Sequence, residues 1–64
     1  MNDYVDFIYE VVKLESEDMD AVYGDFIQHL VGVVGLNTLL MNKLLESCGV
    51  VNGRQLYVLV KKES

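Results

Sequence analysis

Proline is absent from this 64-residue chain, and cysteine and histidine occur once each. Without proline, only glycine is left to break regular structure. A single cysteine, Cys48, excludes a disulfide within one chain and fits a reducing, cytoplasmic compartment. One cysteine and one histidine cannot close a four-ligand structural zinc site. No metal and no other cofactor is expected. Basic residues are scarce too: five Lys and Arg stand against ten Asp and Glu, for a net charge of −5. Residues 1–25 carry eight carboxylates and one lysine, a net −7, whereas residues 26–64 come to +2 through Lys43, Arg54, Lys61 and Lys62 against Glu46 and Glu63. General affinity for nucleic acid needs a basic face, and only the C-terminal part offers a weak one. Long apolar runs are missing as well. The most apolar stretch, residues 30–41, falls short of the roughly 20 residues a membrane-spanning helix requires. The residues after Met1 have no basic leader region, so no signal peptide is expected.

What is present is a hydrophobic share of 52% in a chain of single-domain length. Domains this small bury a modest fraction of their surface and usually need a staple. With disulfide and zinc excluded, oligomerisation remains, and a homodimer is expected.

Three segments read as helices. In residues 2–15, Asp3, Asp6, Glu10 and Lys13 recur at intervals of three and four, with Tyr4, Val5, Ile8, Val11 and Val12 on the other side. Strand alternation would leave neither face clean. In residues 18–33, Met19, Val22, Tyr23, Phe26, Ile27, Leu30 and Val31 keep helical spacing, with Ser16 or Asp18 as cap and Gly32 or Gly35 as the end. The third segment starts at Asn37 or Thr38 and ends at Gly49. Its apolar face is Leu40, Met41, Leu44, Leu45 and Cys48, with Leu39 left on the polar arc and Leu36 at its edge. Then comes Asn52-Gly53 between two apolar runs, the strongest short-range hairpin signal, because a type I′ turn needs positive φ at both central residues. Strand alternation sets Leu56, Val58 and Val60 on one face and Tyr57 and Leu59 on the other. The first set is expected to point inward. Lys61 and Lys62 stand where they can blunt the edge of the hairpin.

The expected fold class is therefore α+β: three helices followed by a C-terminal β-hairpin. Residues 36–60, with the second segment as support, resemble the winged helix-turn-helix layout. That resemblance implies a third helix entering the major groove and a hairpin forming the wing. By it, Asn37, Thr38, Asn42 and Lys43 would face DNA and Arg54 would sit at the wing tip. The family's surface is basic where this one is not. Gly32-Val33-Val34-Gly35 also resembles the GxxG loop of KH domains, which bind single-stranded nucleic acid. The two valines depart from the polar residues that meet phosphate there.

No catalytic residue is expected. Asp25 and His29 are spaced to pair on one helix, and an isolated pair of this kind is structural. There is no nucleophile signature and no phosphate-binding glycine loop with Lys-Ser/Thr. Glu15, Glu17, Asp18 and Asp20 lack the ligand spacing of a calcium loop. Cys48 reads as a small core residue. The function this pattern implies is a non-enzymatic, small acidic regulatory or adaptor module, cytoplasmic and homodimeric, acting through protein contacts. Its partner-binding surface is expected at Leu36, Leu39, Tyr57 and Leu59. The alternative is a winged-helix DNA-binding regulator using Asn42, Lys43 and Arg54.

Overall fold

Helix α1, Asp3–Glu15, is the amphipathic element its spacing predicts. The computed structural model describes residues 3–61. Val5, Ile8, Tyr9 and Val12 form the buried face of α1. Asp3 and Asp6 in the first turn and Lys13 in the last complement the helix dipole. Ser16 closes this helix rather than capping the next. It is buried, and both its backbone N–H (3.0 Å) and its Oγ (2.6 Å) donate to the Val12 carbonyl.

The second predicted helix starts too early in the sequence reading. Val22–Tyr23 form a short strand, β1, antiparallel to the last strand of the chain, with Val22 opposite Tyr57 and Tyr23 opposite Leu56. A lone hairpin leaves its inner strand with one unpaired edge. A β-branched and an aromatic residue suit that edge, and the pairing overrides the helical period in which both also fit.

Helix α2 spans Gly24–Met41 but is broken at Gly32, where φ is 80° and ψ 172°. Only glycine tolerates that region. The chain resumes helix at once, with no intervening loop, so the expected second and third helices are the two arms of one kinked element. The second arm ends well before Gly49. Lys43 adopts φ 59°, its N–H donates to the Leu40 carbonyl (3.0 Å), and the Leu44 N–H donates to the Leu39 carbonyl (2.9 Å). These two bonds are the Schellman arrangement, with lysine where glycine is usual.

Residues 45–49, expected in helix, belong instead to strand β2, Leu45–Val51. It pairs with β3, Arg54–Leu59, from Leu45 opposite Leu59 to Val51 opposite Arg54. The turn is as expected: Asn52 has φ 52° and Gly53 φ 77°. A bulge lies between Ser47 and Gly49. The Gln55 amide spans it, donating from Nε2 to the Ser47 Oγ and to the Gly49 carbonyl (3.0 Å). The antiparallel sheet has the order β1-β3-β2. Two helices and a three-stranded sheet thus replace three helices and a hairpin, within the expected α+β class.

Ile8, Tyr9, Val12, Val22, Ile27, Leu39 and Leu45 make the core. Each aliphatic side chain so buried contributes about 1.5–3 kcal/mol. Tyr57 and Leu59 pack against this core, so the inward face of β3 is the reverse of the one predicted. Leu56 and Val58 alternate to the far side. The Tyr9 hydroxyl donates to the Val60 carbonyl (2.8 Å), and the Val60 N–H donates to the Leu44 carbonyl (2.8 Å). These bonds pin α1 and the end of the second arm to the exit of the sheet. No helix among the described residues is long and apolar enough to cross a membrane. Lys62 lies outside the described residues.

Candidate protein-contact surface

The second arm of α2, residues 33–41, turns Gly35 and Leu39 into the core. At about 100° per residue, the opposite face is then Val33, Val34, Asn37 and Met41, all exposed. Val34 is 70% and Met41 82% exposed. Thr38 Oγ1 donates to the Val34 carbonyl (2.7 Å), and Asn42 Nδ2 donates to the Thr38 carbonyl (2.8 Å). Two polar side chains beside this face are thus engaged by the helix's own backbone, and the face itself carries no charge. At the hairpin end of the molecule Val50 and Val51 are exposed as well.

This surface differs from the one expected from sequence. Leu39 is fully buried, a correction to its placement on a polar arc. Leu36, Tyr57 and Leu59 are half-buried against the same core and keep part of their surface. The cause is helical phase. The expected face was drawn through Leu44, Leu45 and Cys48, but the arm stops at Met41 and those three residues lie beyond its end. Met41, assigned to the core face, points outward, and Leu39 takes its place. The outward pair Val34 and Met41 is seven residues apart, a spacing the sequence displayed but that a core face explained equally well.

Asn42 and Lys43 are exposed at the C-terminal end of α2. Arg54 is at the hairpin turn, as expected for a wing tip, but it is engaged. Its Nε donates to Asp25 Oδ2 (2.9 Å), and its guanidinium lies 3.9 Å from the centroid of the Tyr23 ring. The pair is solvent-exposed, so its ionic part is worth at most about 1 kcal/mol. Stacking on tyrosine adds about 0.5–1 kcal/mol. The cluster joins β1, the start of α2 and β3. Asp25 therefore serves Arg54, and His29 is an exposed residue beside it on the wall of a shallow depression that Gln28 completes.

The remaining sequence motifs resolve structurally. Gly32 is the break in α2 and Val33 and Val34 are exposed helical residues, so the GxxG run is not a loop around a phosphate. Cys48 is exposed at the bulge of β2 rather than buried on a helix. Among the described residues no group of three or more histidine, cysteine or carboxylate side chains is placed to hold a metal ion. No family model matches the chain, and neither a curated protein nor a solved structure matches it.

Proposed function

We propose that this protein is a small acidic regulatory or adaptor module, non-enzymatic and cytoplasmic, that works as a homodimer through protein contacts. The observation that carries the reading is the uncharged outer face of the second arm of α2. In the winged-helix layout the two arms of α2 stand for the supporting and reading helices, and β2–β3 stand for the wing. A reading helix gains affinity by neutralising phosphates with Lys and Arg. Here its outer face is Val33, Val34, Asn37 and Met41, and Arg54 is already held by a carboxylate. Apolar side chains rimmed by polar ones are the composition of a protein-contact patch. The layout alone favours the second reading, a winged-helix DNA-binding regulator.

Two measurements separate them. Labelled duplex DNA at about 150 mM salt, followed by fluorescence anisotropy, should bind no tighter than a typical non-specific complex, and Arg54→Ala should change nothing. A pull-down from the native host should retain a protein that Val34→Asp with Met41→Asp loses. Sub-micromolar, steeply salt-dependent DNA affinity abolished by Arg54→Ala would replace the proposal with the DNA-binding reading.

A further inference from the structure

The buried face of α1 does not use all of its apolar residues. Tyr4, Phe7, Val11 and Leu14 follow one another at intervals of three, four and three, the spacing of a coiled-coil seam. Phe7 is 66% and Leu14 63% exposed, Tyr4 is exposed in part, and Val11 is half-buried. The stripe thus runs the length of α1 beside the core face. At about 100° per residue, Asp3 and Glu10 follow one border of this stripe and Glu15 lies at the other. All three are exposed. Lys13, the one base within α1, is on the side away from the stripe.

The borders decide what can lie on the seam. A second copy of α1 packed antiparallel about the middle of the stripe sets Glu10 against Glu10 of the other copy. A parallel copy sets Glu10 against Glu15, the pair of positions that faces across such a seam. Both arrangements oppose carboxylates at a partly desolvated interface, which is the means by which coiled coils reject a partner. An anionic membrane surface is repelled by the same residues. A cationic helix meets the opposite condition, with its apolar side chains on Phe7 and Leu14 and its basic ones against Asp3, Glu10 and Glu15.

We propose that the outer stripe of α1 is a docking surface for an amphipathic helix of another protein, apolar along a heptad seam and flanked by lysine or arginine. The surface is separate from the outer face of α2, so Val34→Asp with Met41→Asp tests the function proposed above and leaves this one untouched.

The probe is a pair of synthetic amphipathic helices with identical leucine seams, one flanked by lysine and one by glutamate. Each is titrated with the full chain by fluorescence anisotropy at low and high salt. The lysine helix should bind at least about tenfold more tightly than the glutamate helix, with an affinity that falls as salt rises. Phe7→Gln with Leu14→Gln should weaken that binding by about tenfold or more while the thermal melt is retained, because both side chains are exposed. Glu10→Lys with Glu15→Lys should reverse the preference between the two helices. Three results overturn the proposal: equal affinity for both helices; lysine-helix binding that survives Phe7→Gln with Leu14→Gln, which makes it charge attraction only; or self-association of the chain that this double variant abolishes, which makes a second copy the occupant.

Discussion

Lys43 holds its backbone at φ 59°, a region that costs an ordinary residue about 1–2 kcal/mol. The two bonds from Lys43 and Leu44 back into the last turn of α2 require that geometry. Its ammonium returns a few tenths of a kcal/mol beside the exposed carbonyls of the helix end, as cations do there. Lys43→Gly should therefore raise stability by about 0.5–1 kcal/mol, after the entropy glycine adds to the unfolded chain. The denaturation midpoint should rise at an unchanged slope in urea. A lower midpoint would mean that the lost charge outweighs the relieved strain. Leu39 argues in the other direction. It has no accessible surface, so Leu39→Ala should cost about 2–5 kcal/mol and unfold much of a domain this small. An unchanged melt would return Leu39 to the surface. Leu39 also shows where the sequence was hard to read. The arm that carries it stops at Met41, and the helical spacing of Leu40, Met41, Leu44, Leu45 and Cys48, which runs on past that end, placed Leu39 on the opposite arc.

At the scale of elements, Gly32 is the hinge between the two arms of α2. With φ 80° and ψ 172°, Gly32→Ala should cost about 1–3 kcal/mol through backbone strain alone. The site has open space for a methyl group, so a steric explanation is unavailable. A variant as stable as the parent, with more helical signal, would show that the arms can merge into one straight helix. The elements that were legible are those with a local cause. α1 was legible because its buried residues repeat at i, i+3, i+4 and i+7. The turn was legible because Asn52-Gly53 demands its own geometry. The elements that were not legible have distant causes. β1 has two residues, too few to show alternation, and exists because β3 has an edge to fill. Leu44, Leu45 and Cys48 keep helical spacing into the first half of β2, and that half becomes a strand because β3 extends opposite it. The same distance explains the inverted faces of β3. Alternation separates Tyr57 and Leu59 from Leu56 and Val58, but only the position of the helices says which pair is inside. The outer face of α2 escaped for a related reason, since Met41 keeps the spacing of a core face with Leu44, Leu45 and Cys48 until the helix is known to stop there.

For the whole molecule, the sheet order leaves β2 at an edge, with Leu45–Val51 paired on one side by β3. That edge is the seam we propose for the homodimer, since of the residues first expected there Leu39 is core and the other three are packed against it. The carboxylates along the seam of α1 direct self-association away from that helix. Size exclusion with light scattering at micromolar concentration should give a mass near twice 7.3 kDa. A monomer at every concentration would remove the homodimer from the proposed function and leave the outer face of α2 unaffected.

The bond from the Tyr9 hydroxyl to the Val60 carbonyl joins residues 51 positions apart in a chain of 64. It sets an order of events during synthesis. α1 leaves the ribosome before the other described elements, while Leu59 and Val60, which complete its surroundings, are made after them. Non-local contacts of this kind form late, after the entropy of closing nearly the whole chain has been met. Until then the apolar face of α1 has no sheet to pack on. The domain therefore completes its fold only once Val60 has emerged, and in the interval a nascent helix with two uncovered apolar stripes is available to chaperones or to a waiting partner.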